Sequence, residues 1–479
     1  MKISNRFYLA LSALNTAKLI TCTPVTQLPL KLDNNDHRFN LDSDMPSHKP
    51  AHPRLLDPAL IRALTAPDAD IEFDVVGLLK ELDPSIAEEL DEPRFIWVFD
   101  GSEDQDGNGV EGEGGRWMTE GDKVVLRRQG KKFVDLTGRE GRWSGDKSGS
   151  GSEELKSKNQ TWPTISHQPL VRSIFPHMTT HSMYDALKTF SGFYSRYYRS
   201  EDGRKSQEWL FREILKIVAN APDGMLLSVE TIPHAYLQSS LIARFSPAQP
   251  RLPPSTPQQP RNTSDIPHAH PHTVVVGAHQ DSANYLFPLL PAPGADDDGS
   301  GSITILEAFR GLVEMGFKPK DKVVEFHWYA AEEAGLLGSL DVVDVMVGRN
   351  VTVDAMLEFD MTAFVKQGSN ATINIISTEA DPSLSDWIIE VAEEYCDIPV
   401  KRSELFKGAG SDYMSFSRAG FPAAFATEAD PMAGLFDPFV HTVADRMDLS
   451  TGEFSFEHML QFAKLTVGFV VEQAGWNED

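Results

Sequence analysis

The stretch Lys322-Val-Val-Glu-Phe-His-Trp-Tyr-Ala-Ala-Glu-Glu-Ala-Gly335 decides the fold. Its apolar run over 322–330 predicts a buried strand, and the run ends on two adjacent carboxylates and a glycine. A lone Glu-Glu pair after a strand is ordinarily a solvated loop. Here small residues on either side leave room for something other than protein. A hydrolytic metal site needs one carboxylate on the metal and another free to move a proton. The question is whether other segments bring further ligands.

Working outward, strands are predicted at 273–278, 355–360, 372–377 and 422–427. Helices are predicted at 301–315, 336–347, 384–395 and 456–474. In the first helix Ile303, Leu306, Phe309, Leu312 and Met315 share one stripe. Apolar strands alternating with amphipathic helices imply an α/β three-layer sandwich around a mixed, mainly parallel sheet. Sites in such folds lie beyond the carboxyl ends of the strands.

That is where the chemistry-bearing residues fall. The strand at 273–278 runs into His279-Gln-Asp281. Asp281, two residues on, lies on the same side as His279 and is placed to accept its second ring N–H. Pro293-Gly-Ala-Asp296-Asp297-Asp298-Gly299 precedes a helix, and dipole compensation explains one or two of those acids, hardly three. The next strand ends at Glu332-Glu333 and the one after at Asp360. His441 lies in a loop before the last helix. Two histidines and several carboxylates without cysteine suit zinc, with cobalt or manganese as alternatives. Five ligands exceed one tetrahedral catalytic zinc and suit two ions that share a carboxylate.

Upstream, residues 1–24 read as a signal peptide: Lys2 and Arg6, an apolar run over 7–14, then a cleavage zone. Asn-x-Ser/Thr sites at Asn159, Asn262, Asn350 and Asn370 fit a glycosylated, secreted protein. Cys22 leaves with the signal, so Cys396 has no intramolecular partner. Residues 26–70 are polar and aperiodic. A helix is expected over 75–90 and two strand-like runs over 123–136. Asp104-x-Asp106-x-Asn108-Gly109 begins like a calcium loop, but its twelfth position is Gly115, so an acidic loop is expected. Residues 141–158 read as a linker. The Pro-rich stretch 246–272 reads as a surface insertion, and its His268, His270 and His272 have nothing to hold them as ligands.

The formal charge of −26 over 479 residues excludes nucleic acid and anionic membrane surfaces as natural partners. No stretch approaches the ~20 apolar residues of a membrane span. A monomer is expected.

The motifs His279-x-Asp281, Gly294-Ala-Asp-Asp-Asp-Gly-Ser-Gly301, Glu332-Glu333-x-Gly335-Leu-x-Gly338, Asp360-Met-Thr362 and His441-Thr442 occur in an order that resembles the M28 family of dinuclear zinc aminopeptidases. Within it the chain is similar to the secreted fungal leucine aminopeptidases, also through Phe193–Gly203, Phe326–Tyr329, Glu394–Pro399 and His458–Leu460. The likeness runs over roughly 182–474, and 119–135 looks like that family's prosegment. The resemblance implies two Zn2+ ions bridged by Asp297, with His279 and Asp360 completing one shell and Glu333 and His441 the other. It implies Glu332 as general base and then acid, and Asp281 as the residue that orients His279. Peptides with a free N-terminus are the implied substrates. The implied domains are a prosegment over 25–170 and a peptidase domain over 171–479.

One loop departs from the family. Phe406-Lys-Gly-Ala-Gly-Ser-Asp-Tyr413 lacks the two cysteines, the tyrosine (here Gly408) and the histidine (here Tyr413) of the fungal relatives. Met361, Phe425 and Val440 are the candidate walls of an apolar substrate pocket. Alternative readings are a non-catalytic binding domain on the same fold, a glutaminyl cyclase-like activity and a carboxypeptidase.

Overall fold

The computed structural model describes residues 74–99, 114–140, 161–248, 272–449 and 451–477, all within one compact unit, Ala59–Asp479. The signal peptide, the calcium-like loop, the linker and most of the Pro-rich insertion lie outside the described residues.

The N-terminal part forms a small three-stranded sheet, β1 (Pro93–Val98), β2 (Gly114–Thr119) and β3 (Phe133–Asp135), in the order β2-β1-β3. The expected helix over 75–90 is broken in two, Val75–Leu82 and Ala87–Leu90. Pro84 interrupts the backbone hydrogen bonding, and Asp83 accepts the Ser85 N–H at 3.1 Å to start a new turn. The first strand-like run of 123–136 is a helix, Glu120–Arg128. A capping box overrides its β-branched residues: Thr119 Oγ1 accepts the Asp122 N–H at 3.1 Å and Asp122 Oδ2 accepts the Thr119 N–H at 2.7 Å. Only the second run, β3, is a strand.

The main sheet has eight strands: β4 (Leu226–Ile232), β5 (Ser240–Ser246), β6 (His272–His279), β7 (Val323–Tyr329), β8 (Thr352–Phe359), β9 (Ile373–Ile376), β10 (Val400–Ser403) and β11 (Ala423–Thr427). Their order is β10-β9-β11-β8-β6-β7-β5-β4. β6 runs parallel to both β7 and β8, whereas β4, β5 and β9 join antiparallel. The sheet is mixed and mainly parallel, as expected.

Alternation along β6 sends Val274, Val276 and Ala278 into one apolar core and Val275 into another on the opposite face. The first core is closed by the helices Gly301–Glu314, Phe456–Ala474 and Pro382–Tyr395, the second by Leu337–Gly348 and Tyr413–Arg418. Each fully buried Val, Leu or Phe contributes about 1.5–3 kcal/mol, so these two layers hold the sheet. Residues 161–190 also belong to this packing. Trp162 stacks on Trp387 at 6.1 Å, and Val171, Ile174 and Met183 are buried. Because β6, β7 and β8 are parallel, His279, the Glu332–Glu333 turn and Asp360 emerge at one edge.

Candidate metal centre and its cleft

His279 ends β6 fully buried, with its own N–H donated to Asp298 Oδ2 at 3.1 Å. Its Nε2 lies 3.1 Å from Asp297 Oδ1 and 3.6 Å from Asp360 Oδ1. On the other side of the same carboxylate, Asp297 Oδ2 is 2.8 Å from His441 Nε2, which is 3.4 Å from Glu333 Oε2. Five side chains from five segments therefore converge in two groups around Asp297.

The three consecutive acids do three different things. Asp296 Oδ1 accepts the Ala363 N–H at 3.0 Å. Asp298 accepts three backbone N–H groups, of Gly301, Met361 and His279, and so starts the helix Gly301–Glu314. Asp298, His279 and Asp360 also offer donor atoms within 4.8 Å of one another. Asp298 is already engaged by the backbone, however, while Asp297 faces both histidines. Asp445 holds the triplet in place by accepting the N–H groups of Asp296 at 2.7 Å and Asp297 at 3.1 Å.

Asp281 lies 3.5 Å from His279 Nδ1, on the side that strand alternation predicted. Its closest bonds go elsewhere. Oδ1 accepts the Glu332 N–H at 3.0 Å and Oδ2 the Glu333 N–H at 3.3 Å, so Asp281 fixes the turn that carries both glutamates.

The charge balance is lopsided. Asp281, Asp296, Asp297, Asp298, Glu333, Glu358 and Asp412 are buried within this region. Arg196 is buried beside them, but its guanidinium is spent on the carbonyls of Gln280, Pro293 and Gly294. Burial pushes the Glu332 carboxyl well above its usual range, with Glu333, Asp412 and Asp360 adding to it against the pull of His279. Asp297 goes the other way: burial raises it, but His441 and His279 outweigh that and hold it well below the usual carboxylate range. His279 Nε2 and Asp360 Oδ1 are buried and make no hydrogen bond. Buried charges are paired or coordinate metals. A nitrogen and oxygen donor set with excess negative charge and unspent, converging donor atoms fits divalent zinc.

The cleft over Glu332 and Glu333 is lined by both parts of the chain. Tyr285, Gly335, Leu336, Gly408, Gly410 and Met414 face Phe99, Arg127, Lys131, Lys132 and Phe133 from the N-terminal part. Arg127 Nε donates to the Glu333 carbonyl at 2.8 Å, and Asp135 N–H donates to the Gly335 carbonyl at 3.0 Å. Lys132 Nζ lies 5.3 Å from the Tyr285 ring centre. Gly408 makes this fit possible, since a Cβ there would lie 3.1 Å from Phe99 Cβ and 3.3 Å from Lys132 Cβ.

Met361, Phe425 and Val440 do not line that cleft. Met361 is half-buried at φ 61°, with its N–H on Asp298, and Phe425 is buried against Tyr413 at 5.2 Å. His272 pairs with Asp354 at 2.7 Å, away from this centre, and His268 and His270 lie outside the described residues. Sequence reasoning did not find Tyr285, Arg127 or the capping role of Asp298. Only the Asp298-Gly-x-Gly301 pattern at a helix start signalled any of the three.

The description "Peptidase family M28" matches residues 263–463. Leucine aminopeptidase 1 of Colletotrichum graminicola is 36% identical over 367 residues, covering 74% of this chain and 82% of that protein. Leucine aminopeptidase 1 of Neurospora crassa is 36% identical over 381 residues, 75% of this chain and 83% of that protein. Among solved structures, the LapA aminopeptidase of Legionella pneumophila superposes with a TM-score of 0.61 at 25% identity, over 82% of this chain and 97% of that one. LapB of the same organism reaches 0.62 at 20% identity, over 80% and 100%, and shares the fold.

Proposed function

This chain belongs to peptidase family M28, a family of zinc-dependent hydrolases, and from that premise we propose that it is a secreted aminopeptidase holding two zinc ions. The observation that carries this reading is the Asp297 carboxylate, one oxygen 3.1 Å from His279 and the other 2.8 Å from His441. His279 and Asp360 would hold one ion, Glu333 and His441 the other, and Asp297 both. When bound, zinc supplies Lewis acidity that polarises the scissile carbonyl and eases loss of a proton from water.

The chain's own groups do the rest. Glu332 shares its turn with Glu333, and burial raises its affinity for a proton, as suits a carboxylate that takes a proton from water and then gives it to the leaving amine. Asp281, bonded to the backbone of both glutamates, keeps that turn in register. The relatives are named leucine aminopeptidases, which supports an apolar N-terminal residue as the one removed. Met361, Phe425 and Val440 remain the proposed pocket walls.

The N-terminal part is proposed to block the site until removed. Phe99, Arg127, Lys131, Lys132 and Phe133 of that part stand over Glu332 and Glu333, where the substrate's scissile bond would lie. We place the cut within 141–160, upstream of the expected 170, because Trp162, Val171 and Ile174 pack on the peptidase core. Asn350 and Asn370 are exposed, which suits glycosylation on a secretory route.

The test is hydrolysis of leucine p-nitroanilide and its N-acetyl derivative by chain cut within 141–160, with and without chelator. Chelator-sensitive cleavage of the free amine alone is expected. Equal cleavage of the blocked substrate would overturn the aminopeptidase reading.

A further inference from the structure

Tyr285 stands six residues beyond His279, in a segment with no helix or strand, and it touches one half of the paired site three times. Its ring lies flat on the His441 imidazole, with centroids 3.7 Å apart and planes 4° from parallel. Its hydroxyl donates to Glu333 Oε2 at 2.7 Å. Its backbone N–H donates to the His441 carbonyl at 3.0 Å.

The two histidines need different support. His279 is clamped in the middle of the sheet, has no exposed surface, and has Asp281 beside Nδ1. His441 sits in a loop upstream of the helix Phe456–Ala474, partly exposed, at φ 59°, a left-handed conformation that a residue with a Cβ rarely adopts. A strand cannot orient it. The Tyr285 backbone bond holds that loop conformation, and the flat ring sets the plane in which the imidazole can turn. The hydroxyl engages one lone pair of Glu333 and so fixes the carboxylate's rotation. Hydrogen-bonding partners of a ligating side chain fix its orientation.

We propose that Tyr285 is a positioning residue for the His441–Glu333 half of the centre, the counterpart there of what the sheet and Asp281 do for His279. The proposal rests on the two-zinc reading above. It predicts an asymmetry: losing Tyr285 contacts weakens one of two ions and spares the other.

Zinc titration of the metal-free full chain against a chromophoric chelator tests this without recourse to activity. Tyr285→Phe keeps the ring and removes the hydroxyl, and it is expected to weaken one ion about 10-fold, at the lower end of what such partners contribute. Tyr285→Leu removes the stacking as well and is expected to approach 100-fold on that same ion. The other ion keeps its affinity in both variants. Two unchanged affinities in Tyr285→Phe would overturn the proposal, as would an equal loss of both ions, which marks a merely structural role. If Tyr285→Leu does not fold, Tyr285→Phe decides alone. Fewer than two zincs on the unsubstituted chain would instead overturn the two-zinc reading, a failure recorded before any variant is compared.

Discussion

Arg127 of the N-terminal part donates its Nε–H to the carbonyl of Glu333 at 2.8 Å, across 206 residues of sequence. The bond ties the helix Glu120–Arg128 to the turn that carries both glutamates. A charged donor on a buried carbonyl is worth about 1.5–3 kcal/mol. Arg127→Met in the uncut chain should therefore raise the open fraction, and with it the residual activity on leucine p-nitroanilide, by about 10–100-fold. Unchanged residual activity would count against a blocking role for this part of the chain.

Glu332 and Glu333 should separate on mutation despite being neighbours. Glu332→Ala is expected to keep two zincs by elemental analysis and to lose turnover by about 10²–10⁴-fold, the usual contribution of a positioned proton carrier. Glu333→Ala should lose metal as well as turnover. Normal metal content in both variants would show that the two roles are wrongly divided.

Glu325 sits on β7, 2.9 Å from His327 Nε2 and 2.6 Å from Arg244 Nε. Burial raises its carboxyl, but His327 and Arg244 outweigh that and bring it down from 4.5 to about 2. A depressed folded-state value means stability that is present above the unfolded value of 4.5 and is lost as pH falls from there through about 2. The contribution is on the order of 3 kcal/mol. Denaturant midpoints from pH 5 to pH 2 should fall less steeply for Glu325→Gln than for the unsubstituted chain, and parallel curves would refute the assignment.

Gly338 is the second residue of the helix Leu337–Gly348, and a Cβ there would lie 2.0 Å from the Ala330 carbonyl oxygen and 2.9 Å from the Ala330 carbonyl carbon and nitrogen. Those atoms are backbone and cannot step aside. Gly338→Ala should cost several kcal/mol, of the size seen for overpacked buried positions (about 1–3 kcal/mol or more), and lower the thermal midpoint. A midpoint equal to that of the unsubstituted chain would mean the turn is less tightly set than the structure shows.

Much of the fold was legible in the chain because its signals are local. Apolar runs at 273–278 and 322–330 read as buried strands wherever they sit, and β6 and β7 are those strands. The stripe through Ile303, Leu306, Phe309 and Leu312 reads as a buried helix face, and all four lie in the core. Local signals also misled where two competed: the Val124-Val-Leu126 run reads as a strand until the Thr119–Asp122 capping box is weighed against it.

Sequence alone determined which residue types stand at the ends of successive strands, and hence that His279, Asp297, Glu333, Asp360 and His441 were worth setting together. A mainly parallel direction follows from apolar strands alternating with amphipathic helices, and that is enough to bring such ends to one edge, whereas strand order came from the structure. Only the tertiary structure decided that Asp298 caps a helix, that Asp281 bonds the glutamate turn, and that Tyr285 and Arg127 reach Glu333 at all. The physical reason is that these are side-chain contacts between segments with no shared period, closed only when separate parts of the chain pack. No repeat or spacing in the sequence records where a phenol or a guanidinium will come to rest.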